Sequence, residues 1–577
     1  MTRLVNLAAL ALLAVASACA SPRDRESGDD RHAPNAPSPE LRVLAWNVWH
    51  GGREDGDEVG PARVIEVIAN SGADLVAMQE TYGSGERIAE ALGFHFHPRG
   101  ANVSIHSRWP IVEDLSVHDP FQCVGALIEL PRGERVAFFS IWLPYSGEIW
   151  APGTRDTDDR DAMLAACEAS RIELETLLAA IEARLDAPRY AGVPIVVAGD
   201  FNAMSPRDYD EAALDQYGTV VDWPTGRLLT RAGFRDAYRD TNPTIDRAAD
   251  ATWTPRFTDQ EQDRIDFVHL RSAPDDEGRA WRPRDARVIR TLGAHGSQRA
   301  HGSKSADEAQ REGESDLATD AFPSDHAAVL ATLERRVVPR AQDLDLTAVT
   351  YNLRHGRGTD GRVDLARIAG VLRELDPDLV GLQEVDLGAG RSGGVNQVLE
   401  LSAALGLHPA FGGFMDHDGG RYGIAVLSRY PIVQVERFEL PTGNEPRIAL
   451  LVDVRLPDDT LVTLVNVHFD WVDDDGFRFA QASALAERLR ALRTPFVLLG
   501  DFNDGPDSRT LALFRGLADE ADKPDDARHT WPADAPEVEI DFVFAGPRGA
   551  FETATARVVD EALASDHRPV TATLRLR

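Results

Sequence analysis

The sequence predicts a duplicated mixed α/β protein, two copies of one domain in tandem. Three observations carry this. The chain has 577 residues, enough for two large domains. Apolar runs of strand length alternate with helical stripes. Six polar motifs occur twice in the same order. Leu44-Ala-Trp-Asn47 matches Val349-Thr-Tyr-Asn352, and Ala73-Asp-Leu-Val-Ala-Met-Gln-Glu80 matches Pro377-Asp-Leu-Val-Gly-Leu-Gln-Glu384. Ser107-Arg-Trp-Pro-Ile111 matches Ser428-Arg-Tyr-Pro-Ile432, and Gly199-Asp-Phe-Asn202 matches Gly500-Asp-Phe-Asn503. Arg264-Ile-Asp-Phe-Val268 matches Glu539-Ile-Asp-Phe-Val543, and Ser324-Asp-His326 matches Ser565-Asp-His567.

Read from the N-terminus, Leu7 to Val15 is a short apolar run after one basic residue and before small residues, the pattern of a secretory leader over 1–20. It is too short to span a bilayer, and no other segment is long and apolar enough. Ala16-Ser-Ala-Cys19 resembles a bacterial lipobox with Cys19 as the lipidated residue; Ala18-Cys-Ala20 also reads as an ordinary cleavage site. Residues 21–40, rich in Ser, Pro, Asp and Arg, form a flexible tether. The first domain is expected over 41–335, with a polar, disordered insertion at about 295–319, a linker over 336–343, and the second domain over 344–577. The offset between paired motifs falls from 305 residues at the asparagines to 241 at Ser-Asp-His, so the first copy carries extra residues late in its sequence.

Within the second copy, Leu346 to Leu353 reads as a strand, and Asp364 caps a helix with Leu365, Ile368, Leu372 and Leu375 on one face. Asp378 to Glu384 is a short apolar run ending in a polar pair. Ile448 to Leu456 and Leu461 to His468 make a hairpin across Pro457-Asp-Asp-Thr. Phe479 to Leu492 is amphipathic, and Pro495 to Gly500 is a buried strand ending at Asp501. Chemistry-bearing residues thus recur at strand ends.

The formal charge is −33, with −15 from Asp343 onward and −18 before it. Neither half offers the basic face that grips a nucleic-acid backbone. Three cysteines exclude a disulfide framework. Cys123 and Cys167 fit either a single bridge or two buried thiols.

Singly, each motif has an ordinary structural reading: Gln-Glu as a solvated strand end, Gly-Asp-Phe-Asn as a turn, Asp-His as a surface loop. A structural duplication would repeat apolar positions, whereas this one repeats carboxylates, amides and histidines as well. Both halves, from Leu41 to Arg577, resemble the endonuclease/exonuclease/phosphatase superfamily. The resemblance implies two tandem four-layer α/β sandwich domains, each of two packed mixed β-sheets flanked by helices, with a divalent-metal phosphoesterase site at one sheet edge.

By resemblance, Glu384 binds Mg²⁺ or Mn²⁺ with Asn352 and Asp566 beside it. His567, held by Asp541, contacts the phosphate; Asp501 positions or deprotonates the attacking water; Asn503 bonds the developing charge; and His468 donates to a phosphate oxygen. Hard oxygen ligands suit these cations, and a carboxylate behind a histidine fixes its tautomer. The first copy supplies Asn47, Glu80 and Asp325 as the metal set and Asp200, Asn202, Asp266 and His326 as the catalytic set. It departs from the pattern at the His468 position, where Trp142 stands: either a core aromatic or a substrate-stacking one. Arg391 and Arg421, in glycine-rich turns of the second copy, are further candidates for substrate phosphate.

The expected function is that of an exported phosphoric ester hydrolase acting on a phosphate mono- or diester of a small molecule or phospholipid headgroup, attached to a membrane through Cys19. A secreted nuclease, or one active domain beside a degenerate binding domain, are the alternatives.

Overall fold

The computed structural model describes residues 40–292 and 322–577, less the side chains of 553–555. The leader, Cys19, the tether as far as residue 39 and the late insertion at 295–319 lie outside the described residues, and Glu40 opens the first strand. Each half contains two six-stranded mixed sheets. In the second half one sheet runs His408–His417, Gly420–Ser428, Leu379–Leu387, Leu346–Asn352, Val570–Leu576, Phe551–Val558. The other runs Ile432–Glu439, Ile448–Arg455, Leu461–His468, Phe496–Asp501, Asp541–Gly546, Asp519–Glu520. The first half repeats both orders strand for strand.

The expected elements form. Asp364 caps Leu365–Leu375, its carboxylate accepting from Arg367 N at 3.0 Å. Ile448–Arg455 and Leu461–His468 pair antiparallel across the predicted turn. Alternate residues of the two sheets face each other: Val43, Ala77, Phe138 and Val196 meet in the first half, and Ala348, Val426, Val452 and Val497 in the second. Helices cover the outer faces, Glu168–Leu185 and Val59–Ser71 in the first half, Gly476–Arg490 and Leu365–Leu375 in the second. Cys123 and Cys167 are free and buried, and burial pushes both thiols up to about 12. No helix among the described residues is long and apolar enough to cross a membrane.

The two halves meet through arginines that bind backbone carbonyls. Arg282 donates to Pro457 O at 2.8 Å and meets Asp459 at 2.9 Å, Arg235 donates to Leu456 O, and Arg455 donates back to Phe234 O. The predicted turn at 457–460 is therefore a docking point against the first half.

Candidate active sites

In each half two parallel ladders end at the site, at Asn47–Gln79 and Trp142–Asp200 in the first half and at Asn352–Gln383 and His468–Asp501 in the second. The strand bearing Gln383 runs on to Leu387 past a register shift. Gly-Asp-Phe-Asn is a strand end whose four residues have separate duties. A Cβ on Gly199 would lie 2.0 Å from Ile141 O, and one on Gly500 2.1 Å from Val467 O, so only glycine fits there. Asp200 and Asp501 are buried and reach the site. Phe201 and Phe502 fill the core behind it. Asn202 and Asn503 take left-handed conformations, φ 45° and 49°, and fold back so that their backbone N–H groups donate to the aspartates at 2.9 Å.

Gln-Glu divides similarly. Gln79 and Gln383 are fully buried and join the sheets, Gln79 through Ser140 at 2.9 Å and Gln383 through Asn466 at 2.7 Å. Glu80 and Glu384 follow at φ 53° and 54°, a conformation costing of order 1 kcal/mol or more for a non-glycine residue. Such strain at matching positions in both copies points to function. In Ser-Asp-His, Ser324 and Ser565 latch onto the carbonyls of Asn47 and Asn352 at 2.7 Å.

In the second half Asn352 joins the two acidic arms, its Nδ2 donating to Glu384 Oε1 at 3.2 Å and Asp501 Oδ2 at 3.0 Å. His567 Nδ1 lies 3.0 Å from Asp541 Oδ2 and its Nε2 3.7 Å from Asp501 Oδ2. His468 Nε2 lies 3.6 Å from the same oxygen. Asp566 faces Arg354 Nε at 3.4 Å. The first half superimposes these relations: Asn47 to Glu80 at 3.2 Å and to Asp200 at 3.1 Å, His326 Nδ1 to Asp266 at 2.9 Å, His326 Nε2 to Asp200 at 3.9 Å. Asp325 joins them, pushed up to about 6 by burial and by the charge of Glu80. The predicted catalytic and metal residues thus converge on one site per half.

Burial pushes the Asp200 and Asp501 carboxyls upward, with the neighbouring Asp266 and Asp541 charges adding to the effect. His326 and His567 move upward against their own burial because each ring lies between two aspartates. His468 shifts well down through burial and the nearby Arg447 and His567, so its ring is neutral and donates through one nitrogen.

The donor set fits a hard divalent cation. Burial raises Glu384 above the usual carboxylate range, and the amide of Asn352 is a weak counterweight. Asp266 Oδ1 and Asp541 Oδ1 are buried with no hydrogen-bond partner among the described residues. Asp200, Asp266 and His326, and likewise Asp501, Asp541 and His567, each place ligand atoms within 4.8 Å of one another. Oxygen-rich sets of this kind suit Mg²⁺ or Mn²⁺ better than a thiophilic ion.

The endonuclease/exonuclease/phosphatase family model matches residues 44–326 and again 349–567. The chain belongs to this family. An endonuclease/exonuclease/phosphatase from Beutenbergia cavernae is 27% identical, covering 40% of this chain and 72% of its own, with a TM-score of 0.34. A mannosyl-6-phosphatase of Bacteroides thetaiotaomicron is 23% identical, covering 40% and 99%, TM-score 0.34. An uncharacterized Caenorhabditis elegans protein is 27% identical over 249 residues, 40% of this chain and 77% of its own length. Each relative therefore corresponds to less than half of this tandem family member.

Three sequence candidates resolve differently. Trp142 stands opposite Asp200 in the parallel ladder, as His468 stands opposite Asp501, so it does occupy the histidine's position. Its ring is half-buried and meets Phe121 edge-on at 5.5 Å. Arg391 lies near the second site but is held by Asp386 through two hydrogen bonds of 2.8 and 2.9 Å. Arg421 is a correction: its guanidinium pairs with Glu211 of the first half at 3.1 Å, making it a residue of the contact between halves rather than of the site.

Sequence reasoning also missed a seventh repeated piece, Thr252-Trp253 and Thr530-Trp531. The Thr252 hydroxyl accepts from Ile265 N and Asp266 N, and Thr530 from Ile540 N, fixing the strand that carries the aspartate behind histidine. Trp253 packs on His326, centroids 5.0 Å apart. A search for repeated dipeptides would have found it. Two residues before that aspartate the copies reverse charge. Buried Arg264 bonds Asp208 and Asp236, whereas buried Glu539 meets Lys523 at 2.7 Å and Arg528 at 2.8 Å.

Proposed function

We propose that the protein is a divalent-metal-dependent phosphoesterase hydrolysing a phosphate mono- or diester of a small molecule or phospholipid headgroup. The constellation of Asn, Glu, Asp, Asp and His, built twice with matching distances, carries the reading. Glu384, Asn352 and Asp566, and in the first half Glu80, Asn47 and Asp325, would hold Mg²⁺ or Mn²⁺. The cation supplies charge neutralisation at phosphorus.

The chain's own groups do the rest. Asp501, its carboxylate fixed by Asn352 and by Asn503 N, orients the attacking water and takes its proton. His567, kept cationic by Asp541, donates to a phosphoryl oxygen. Asn503 has one amide hydrogen on Phe469 O at 3.0 Å and offers the other to the developing negative charge. Neutral His468, its Nε2 3.6 Å from Asp501 Oδ2, donates to another phosphate oxygen. Domain 2, with His468 in place, holds the fuller set. In domain 1, Asp200, Asp266 and His326 have the same roles, with Trp142 in the histidine's place, while Asn202 must give up its 3.2 Å bond to Asp200 Oδ2 to serve as Asn503 does.

The acidic net charge favours small or lipid-borne phosphates over nucleic acid. Export and attachment through Cys19 belong to the same proposal. The deciding experiment is a hydrolysis screen with Mg²⁺ or Mn²⁺ over phosphomonoesters, phosphodiesters, phospholipids and DNA. Metal-stimulated turnover abolished by excess chelator is expected. Turnover that persists in chelator would refute metal dependence, and turnover of DNA alone would identify a nuclease instead.

A further inference from the structure

The two sites differ at three corresponding positions, each time in the same sense. Two residues after the site asparagine, and donating its N–H back to that asparagine at 3.0 Å, stands Trp49 in the first half and Arg354 in the second. Opposite the site aspartate in the parallel ladder stands Trp142 or His468. Cys123 pairs with Ile141 as Ala449 pairs with Val467, and two residues before them stand Phe121 and Arg447. A ring in the first half answers a nitrogen base or cation in the second at every one.

In the second site these groups are poised for charge. Arg447 is 2% exposed and pairs through Nη2 with Glu445 at 2.9 Å, while its Nε and Nη1 have no hydrogen-bond partner among the described residues and its charge is felt at both His468 and Glu384. Arg354 faces Asp566 at 3.4 Å. A buried guanidinium with unused donors beside a phosphoesterase site is suited to a dianionic group.

Rings edge both sites, since Trp531 and the exposed Trp471 answer Trp253 and Tyr145, but the first site adds Trp49, Trp142 and Phe121 to them. Trp49 meets Phe257 at 5.8 Å, Phe257 meets Trp253 at 6.5 Å, and Trp253 meets His326 at 5.0 Å. Phe121 and Tyr145 are 42% and 45% exposed. Tyr145 lies three residues past Trp142, which stands opposite Asp200 at the strand end, and meets Trp150 edge-on at 5.7 Å. Arg256 is also present, its guanidinium over the Trp49 ring at 5.2 Å and paired with Asp55 at 2.7 Å, with Nη1 unpartnered among the described residues, so the first site keeps one such cation where the second has Arg354 and Arg447. Exposed rings offer little to a dianion; they stack on planar groups, and a stacked ring contributes substantially to binding.

We propose that the two sites divide phosphate esters by charge and shape: the second takes phosphomonoesters, and the first takes phosphodiesters whose ester arm carries a planar unsaturated ring. This rests on the phosphoesterase reading above. In both reactions water attacks phosphorus, the P–O bond to the leaving alcohol breaks, and a proton passes to that alcohol.

The test uses the full-length protein with Mn²⁺, and glycerol 2-phosphate, bis(4-nitrophenyl) phosphate and glycerophosphocholine as probes. Asp501→Asn should remove more than nine-tenths of glycerol 2-phosphate turnover and retain most aryl-diester turnover, with Asp200→Asn doing the reverse. In the Asp501→Asn protein, Phe121→Ala and Tyr145→Ala should each lower the preference, in kcat/KM, for the aryl diester over glycerophosphocholine by about tenfold. Tyr145→Phe should restore it, because stacking needs the ring and not the hydroxyl. One site turning over both ester types, or an aryl preference indifferent to Phe121 and Tyr145, would overturn the division while leaving the phosphoesterase reading intact. Absence of metal-stimulated turnover of any probe by the wild type would overturn both.

Discussion

Replacing Asp541 by Asn tests the role of the carboxylate behind His567, with Asp200→Asn in the same chain to silence the first site. The change is isosteric. Asp541 Oδ1 has no hydrogen-bond partner to lose among the described residues, and Oδ2 accepts from His567 Nδ1 at 3.0 Å, so the perturbation is essentially the removal of one charge. At that separation and an effective dielectric near 20, the attraction to a cationic ring is about 5 kcal/mol. Proton-transfer assistance is worth about 10²- to 10⁴-fold in rate, or roughly 3–5 kcal/mol. The expectation is a fall in kcat for glycerol 2-phosphate of that size, with KM changed by only a few-fold and thermal stability preserved. The assay is steady-state hydrolysis across a titration of Mn²⁺. Asp541 also belongs to a trio able to hold a cation, and the titration separates the two roles. A kcat deficit persisting at saturating metal marks a positioning residue. Full recovery at high Mn²⁺, or a kcat within threefold of the parent, would refute the reasoning.

Other outcomes follow from the same structure. Arg264→Met should lower the stability of the first half by about 3–5 kcal/mol in urea titration, since it strips a cation from two buried carboxylates; a loss below about 1 kcal/mol would contradict the assigned network. Burial holds His106 down to about 3, so between its ordinary value and about 3 the unfolded chain binds a proton that the folded chain refuses. Stability from this residue is full above about pH 6.5 and is lost as pH falls, by about 1.4 kcal/mol per unit. His106→Gln should lack that slope between pH 6.5 and 4.5, and an unchanged slope would show that the ring is solvated. Asp501→Ala should abolish most turnover of ring-free phosphate esters while Asp200→Ala spares it, measured on the purified proteins; equal losses would show that the sites work as one. Cys19→Ser should move the exported protein from membrane to soluble fractions or stall its processing, and an unchanged membrane fraction would leave only the unlipidated form of export.

The catalytic constellation was legible because each of its members sits at a fixed place in a short motif, and duplication separated those motifs from coincidence. Asn352 and Asp501 end core strands, Glu384 lies within one and His567 shortly precedes one, and the apolar residues of these strands can be read directly. Phe121 and Arg447 were not legible as site residues, because only the ladder register brings them beside Trp142 and His468. Arg421 misled for a related reason. Its glycine-flanked setting resembles a loop open to ligand, while its partner Glu211 lies in the stretch between Asp200 and Asp266, which is longer than its counterpart between Asp501 and Asp541. Extra residues of the first copy are thus spent partly on meeting the second, and not only in the polar segment at 295–319. No local pattern announces a contact between copies.

The reversed ion pair behind the histidines bears on how a chain containing the same fold twice assembles. Strand Asp266–Arg271 and strand Asp541–Gly546 have the same neighbours in the same order, so each is the most credible impostor for the other during folding. An exchange would bury Arg264 against Lys523 and Arg528, and Glu539 against Asp208 and Asp236. Both misplacements set like charges together away from water, a penalty of several kcal/mol that correct assembly never meets. The shared Ile-Asp-Phe-Val run offers no such discrimination, which otherwise falls to the ends of the strands, His269-Leu-Arg271 against Phe544-Ala-Gly546. The charge reversal thus adds an electrostatic cost to exchanging the two strands, on top of the cost of their unlike ends.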